Sequence, residues 1–313
     1  MNQNIKRDED KIKNWKTIHK PVLLQEIIEN LNLGEGQMVF DGTLGGGGYS
    51  EEICKKILPS GILIATDLDS DAIIRSKKRL EVFNLEKKFF QENYSNIQKI
   101  LEELKIEKID KMILDLGISS DQLASSGRGI SFQNLDEDLD MNLSTSLKKE
   151  KKASDILNTY SEEDLADIFF YYGGERASKK IAKAIFEARK EKEFKKVKDL
   201  VDLIEEEIGY FYKNKKIHSA TKIFQALRIA VNDEIKNLEK TLKLSPKILK
   251  SGGIVGVVTF HSLEDSLVKR VFREMEDMGV AERINKKVIK PKWNEVKDNP
   301  RARSAKLRLL KII

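Results

Sequence analysis

The clearest chemistry in this chain of 313 residues lies in Val39-Phe40-Asp41-Gly42-Thr43-Leu44-Gly45-Gly46-Gly47-Gly48-Tyr49-Ser50. A short apolar run ends in an acid, and the glycines Gly45 to Gly48 follow it. Glycine runs cost backbone entropy, so they belong where a chain turns hard and lets another group approach. After a first strand, that group is typically a nucleotide-like cofactor. Two more apolar runs also end in aspartates, Asp67 and Asp115. Acids in register at strand ends line the crevice where parallel sheets bind ligands.

Two cofactor classes suit such a turn, dinucleotides and S-adenosylmethionine. The dinucleotide fingerprint needs a glycine in its third place to pack helix on strand. Here that place holds Ser50, and the alternative frame from Gly42 puts Leu44 at its middle glycine. S-adenosylmethionine brings an ammonium group and a ribose diol instead. Asp41 and Asp115 can face the ammonium, and Asp67, about 20 residues past the turn, is placed for the diol.

A second candidate stretch is Asp115-Leu116-Gly117-Ile118-Ser119-Ser120-Asp121-Gln122, after the fourth strand. Enzymes that methylate exocyclic amines often carry an acid or amide, two prolines and an aromatic there. This chain keeps the acid and lacks the prolines and the aromatic. His261 closes a later apolar run, and a lone histidine in that position more often serves structure than catalysis. For an anionic partner, Lys179, Lys180, Lys183 and Lys190 fall along one helix face. The tail from Lys286 to Arg308 is denser in basic residues, with Lys290, Lys292, Arg301, Arg303 and Lys306 among them. Trp293 and Phe132 are candidates for stacking on bases or for packing.

The elements that must hold these residues alternate between strand and helix. Met38–Asp41, Ile62–Asp67, Lys88–Gln91 and Lys111–Asp115 read as strands separated by helices, after a helix over Pro21–Leu31. Apolar strands in such alternation predict a parallel sheet covered on both faces. From about residue 123 to 217 the pattern is helical, with a cap at Ser161-Glu162-Glu163-Asp164 and a break at Gly173-Gly174. Alternation resumes with one long helix from Ala220 to Leu242, the strand Ile254–Phe260, a helix through Val268–Met275 and a last strand, Ala305–Ile312. The expected fold is therefore α/β, with a sheet domain from residues 18–122 and 218–313 and an all-helical insertion over 123–217. Residues 1–17 read as a flexible charged arm.

Composition limits the alternatives. A net charge of +6 and a pI near 9.0 permit nucleic acid as a partner. One cysteine, Cys54, excludes an internal disulfide framework, and three histidines make a metal cage improbable, so no metal is expected. No apolar run suffices to cross a bilayer, and the polar N-terminal stretch does not read as a signal peptide, so a cytoplasmic protein is expected. Monomer and homodimer both remain open.

These stretches, with Arg128-Gly129-Ile130-Ser131-Phe132, Leu139-Asp140-Met141, Tyr172-Gly173-Gly174-Glu175-Arg176, Phe224-Gln225-Ala226-Leu227-Arg228, Phe260-His261-Ser262-Leu263-Glu264-Asp265 and Asn299-Pro300-Arg301-Ala302-Arg303, occur in one order from His19 to the C-terminus. In that set and order the chain closely resembles the bacterial ribosomal RNA small-subunit methyltransferase H family, also called MraW. The resemblance implies a Rossmann-like class I methyltransferase sheet with an inserted helical domain that recognises RNA. It implies S-adenosylmethionine-dependent N4-methylation of a cytidine in the decoding centre of 16S ribosomal RNA, with the small ribosomal subunit as partner. Cofactor contacts carried over by the resemblance are Gly47, Gly48, Tyr49, Asp67, Tyr94, Asp115 and Gln122. Asp115, Ser119 and Ser120 are the candidates to accept a proton from the reacting amine. The family usually has His at Tyr49, Phe at Tyr94, Pro at Asp121 and Arg at Asn142. Two other classes compete: an RNA-binding assembly factor with a degenerate pocket, and a nicotinamide oxidoreductase. The intact glycines and strand-end acids weigh against the first, and Ser50 against the second.

Overall fold

The structure is a computed structural model that describes residues 21–118, 123, 127–145 and 151–313. The expected arm and the stretch Ser119–Gln122 lie outside those residues. By chain contacts the protein divides into two units, one taking the described residues of Met1–Ser120 with Asn237–Ile313, the other those of Asp121–Lys236.

The first unit is built on a seven-stranded sheet: β1 (Met38–Asp41), β2 (Ile62–Asp67), β3 (Glu86–Gln91), β4 (Ile109–Asp115), β5 (Leu249–Thr259), β6 (Ala281–Arg283) and β7 (Lys306–Ile312). Their spatial order is β3-β2-β1-β4-β5-β7-β6. Neighbours from β3 to β5 are parallel, while β7 runs antiparallel to β5 and β6 antiparallel to β7. This is the Rossmann-like class I methyltransferase sheet. Central strands read as continuous apolar runs because both faces are covered: Met112, Ile113 and Leu114 of β4 are fully buried. The chain steps outward from β1 to β3 on one side, then returns to β4 and moves outward on the other. The order therefore reverses between β1 and β4, and a crevice opens outside their C-terminal ends. Asp41 and Asp115 end those two strands.

Several element limits differ from the sequence reading, each for a local reason. The first helix runs Leu24–Leu31, because Leu23 adopts a left-handed backbone that starts it; Pro21 lies outside and packs on the glycine turn. Strand β5 begins at Leu249 and tolerates Gly252-Gly253 as an irregularity beside Asp110. The long helix expected over Ala220–Leu242 is two helices, Thr221–Val231 and Glu234–Ile248. Asp233 has φ 49°, and the Asn232 amide donates to the Arg228 carbonyl at 2.8 Å, which closes the first helix.

The second unit holds the helices Ala153–Thr159, Glu162–Asp167, Ser178–Ala188, Val197–Tyr212 and Thr221–Val231, with a π-helical turn at Ile168–Tyr172. The Ser161 cap forms as the sequence predicts, its hydroxyl accepting from the Asp164 N–H at 3.0 Å. Phe169, Ile181, Ile185, Leu200, Ile204, Ile208, Ile223 and Leu227 share one apolar core. Because Thr221–Val231 packs its apolar face into that core, this unit continues to Lys236 and not only to residue 217. Among the described residues no helix is long and apolar enough to cross a membrane.

Candidate active site

The glycine turn is held from below and from the side. Gly42 N–H donates to the Ile113 carbonyl at 3.0 Å, and Thr66 Oγ1 donates to the Gly42 carbonyl at 2.9 Å, so the turn leaves β1 locked to both flanking strands. Ser76 donates to the Gly45 carbonyl at 2.9 Å and Arg79 to the Gly46 carbonyl at 2.9 Å. Gly47 has φ 73°, and a Cβ there would stand 2.9 Å from Ser76 Oγ. Only glycine meets both demands. A Cβ on Gly48 would stand 2.2 Å from Pro21 Cγ.

The helix Gly48–Ile57 starts here, and its first internal bond is Glu51 N–H to the Gly47 carbonyl at 2.9 Å. The N–H groups of its first residues, Tyr49 among them, lack intrahelical acceptors and suit a negatively charged or carbonyl-bearing ligand group. The Tyr49 side chain takes no part in that. Its ring is 3% exposed within the core, and its hydroxyl donates to the Val22 carbonyl. The change from the family's usual His thus falls on a side chain turned inward.

Three carboxylates converge on the crevice. Asp41 is 1% exposed, accepts from Ser50 Oγ at 2.6 Å and from the Thr43 N–H at 3.1 Å, and is pushed up to about 6 by burial. The Ser50 hydrogen bond opposes that rise, and the Asp67 charge adds to it. Asp67 accepts from the Gly45 N–H at 2.8 Å and from the Asp69 N–H at 2.9 Å, and burial pushes it up to about 6 as well. It therefore braces the glycine turn, and each oxygen keeps a further lone pair for a ligand hydroxyl. Burial holds Asp115 well above the ordinary carboxylate range, the Asp41 charge adds to this, and the Tyr49 hydroxyl opposes it. Its Oδ1 is buried and has no hydrogen-bond partner among the described residues. A buried polar atom left unpaired at a strand tip is costly unless something binds it.

Sequence reasoning did not single out Thr43, whose hydroxyl accepts the Asp115 N–H at 2.6 Å while its own N–H donates to Asp41. Thr43 thereby fixes the spacing of two acids that are 74 residues apart in the chain, counting from 41 to 115. A hydroxyl residue directly between the acid and the glycines was the available signal. Ser76 and Arg79 had none, since they approach from a different helix. Tyr94 opens the 3₁₀ turn after β3 and is half-buried beside Gly42, where an added Cβ would lie 2.9 Å from its own Cβ. Ser119, Ser120 and Gln122 lie outside the described residues.

Other expected contributors are placed differently. His261 caps the helix Ser262–Asp277, with Nδ1 accepting from the Glu264 N–H at 3.3 Å. In the basic tail, Lys306 and Arg308 bind Asp265 at 2.8 and 2.7 Å and hold its carboxyl below the usual range against the opposing effect of burial. Lys286, Lys287, Lys290, Arg301 and Arg303 are exposed. Phe132 packs on the insertion core and stacks on His218, with centroids 4.8 Å apart. Asn142 is 7% exposed, and its amide donates to Asp140 and to the Lys151 carbonyl at 2.8 and 3.2 Å. Here the position that is usually Arg serves the loop's own structure.

Residues 16–313 match the MraW methylase family. The chain belongs to that family. Its cofactor is S-adenosylmethionine. A curated relative from Dictyoglomus thermophilum, named ribosomal RNA small subunit methyltransferase H, is 46% identical, with 94% of this chain and 96% of the relative aligned. Relatives of the same name from Fusobacterium nucleatum and Finegoldia magna are each 41% identical; the first aligns over 94% of this chain and 97% of its own, the second over 93% and 97%. The MraW site fits its cofactor on the chemistry of its acids: the buried Asp115 Oδ1, which has no hydrogen-bond partner among the described residues, suits a positively charged ligand group.

Proposed function

We propose that this chain methylates N4 of a cytidine in the decoding centre of 16S ribosomal RNA, within the small ribosomal subunit, in the cytoplasm. The observation that carries this reading is the buried Asp115 Oδ1 at the tip of β4, without a partner among the described residues, beside the glycine turn at the switch point. The relatives, named ribosomal RNA small subunit methyltransferase H, supply the substrate class.

S-adenosylmethionine supplies a methyl group on a positively charged sulfur. Asp67 would hold the ribose diol, the N–H groups of Gly47, Gly48 and Tyr49 the polar tail, and Tyr94 the adenine, with Gln122 a further cofactor contact. A cation bound beside Asp41 and Asp115 favours their ionised forms. The exocyclic amine of cytosine is a weak nucleophile because its lone pair is shared with the ring. Asp115, with Ser119 and Ser120, accepts a hydrogen bond from that amine, which directs the lone pair at the methyl carbon. As the new N–C bond forms, the S–C electron pair stays on sulfur, leaving S-adenosylhomocysteine, and the amine's proton goes to one of these acceptors or to water. Positioning supplies most of the acceleration, and the target base leaves its stack to enter the crevice. The helical insertion and the exposed part of the basic tail hold the RNA through its phosphates.

The test is transfer of labelled methyl from S-adenosylmethionine to small subunits that lack the modification, with the product nucleoside identified. Label in N4-methylcytidine of the decoding centre is the expected result. Cofactor binding without label in RNA would overturn the reading in favour of an assembly factor.

A further inference from the structure

The insertion turns large rings to solvent. Phe170 is 51% exposed and Tyr171 64%, while Tyr210 is 67% and Phe211 47%. Burying rings of this size is favourable, so four such rings in water invite a partner. They come in pairs. Phe170 and Tyr171 meet edge to face with centroids 5.2 Å apart, and Tyr210 and Phe211 lie 3.8 Å apart at 35°. The first pair sits on the π-helical turn Ile168–Tyr172, while Phe169 between its neighbours is fully buried. Such turns are uncommon and concentrate at functional sites.

Side-chain bonds tie together the segments that carry the two pairs. The Tyr212 hydroxyl donates to Glu175, Lys180 binds Glu207 at 3.2 Å, and Lys222 donates to the Gly174 carbonyl at 2.8 Å. Those bonds also occupy Glu175 and Glu207. Arg176, Lys179, Lys213, Lys215 and Lys216 are exposed, and none forms an ion pair with a described residue. Exposed acids without an ion pair among the described residues are Asp167 beside the first ring pair, and Asp202 and Glu206 on the helix that carries the second. Five such cations against these three acids leave the balance around the rings positive.

We infer that this face of the insertion is a stacking platform for single-stranded RNA, with unpaired bases on the Phe170–Tyr171 and Tyr210–Phe211 rings and phosphates on the surrounding cations. The inference rests on the reading of the chain as an RNA-modifying enzyme and assigns the residues that hold the strand away from the reacting base. Aromatic rings interleaved with lysines are the composition of a sequence-tolerant nucleic-acid surface. A protein-binding patch would instead be depleted of lysine at its centre.

The test measures binding of the full-length protein to a labelled single-stranded oligoribonucleotide of mixed sequence, and to the same sequence as a duplex. The variants are Phe170→Ala with Tyr171→Ala, Tyr210→Ala with Phe211→Ala, and Tyr171→Phe with Tyr210→Phe. Each alanine pair should weaken single-strand binding about tenfold or more. The phenylalanine variant should keep wild-type affinity. Duplex affinity, cofactor affinity and melting temperature should stay unchanged in all. Single-strand affinity unaltered in both alanine pairs would overturn the inference. So would a loss seen only with assembled small subunits, which would give the face to a ribosomal protein. Absence of methyl transfer by the wild-type enzyme would sink the functional reading alone, because the oligonucleotide measurement does not depend on it.

Discussion

At the scale of single residues, the site is a set of acids kept from ionising freely, with small hydroxyls tuning them. Ser50 occupies the place where a dinucleotide enzyme needs glycine, and its hydroxyl donates to Asp41. Ser50→Ala removes a bond that lowers the Asp41 pKa, so Asp41 should rise above its value of about 6. If the cationic cofactor prefers the ionised acid, its affinity-versus-pH curve should shift to higher pH, which calorimetry across pH 5 to 8 would record. Asp67→Ala should weaken the cofactor about tenfold or more by the same measurement. It should also cost about 1–3 kcal/mol of stability, because the Gly45 and Asp69 N–H groups lose their acceptor. The acids were legible in the sequence because each ends an apolar run. The inward turn of Tyr49 was not, since a side chain's direction at a helix start depends on what the neighbouring segment, here Val22, offers it.

At the scale of elements, the reading from periodicity was sound where apolar runs are long and failed where one side chain decides. Strands β1 and β2 have the expected limits. Strand β6 has three residues and no pattern to detect, being an edge held by β7. The break at Asn232 lies inside a continuous helical pattern, and its cause is tertiary: the Asn232 side chain donates to the Met141 carbonyl at 2.9 Å and accepts the Leu143 N–H at 2.8 Å. Asn232→Ala should therefore cost about 1–3 kcal/mol, visible as a lower denaturant midpoint, with cofactor affinity retained. Gly48→Ala should reach the cofactor as well as stability. Its Cβ would overlap Pro21, and overpacking of this kind costs about 1–3 kcal/mol. The displaced turn should lose more cofactor affinity than the melting temperature alone suggests.

At the scale of the whole molecule, the pH dependence of stability should carry the signature of the site. A folded Asp41 that titrates at about 6 holds its proton where the unfolded chain, near 3.8, has released it. Stability therefore falls as pH rises through that window and levels off above it, by about 3 kcal/mol at most for this group. Asp67 and Asp115 push in the same direction. Asp265 and Asp199, whose values are lowered, act oppositely: their contribution is present above the ordinary carboxylate range and lost as pH falls below it. Between pH 4.5 and 7 the site acids should dominate. The melting temperature of the cofactor-free protein should fall over that range, and the rise caused by S-adenosylmethionine should grow. A flat profile would remove the buried acids from the ledger.

The place of β4 and β5 carries a further consequence for how the protein is made. These strands are neighbours in the sheet, yet the whole insertion lies between them in the chain. A nascent chain that has just completed β4 presents a bare strand edge until more than a hundred further residues have left the ribosome, since β4 ends at Asp115 and β5 begins at Leu249. An open apolar edge of that kind invites aggregation. Ordering that segment into helices as it emerges shortens the flexible loop that β5 must close. The helical unit would then act as a clasp during biosynthesis, before any RNA reaches the finished enzyme.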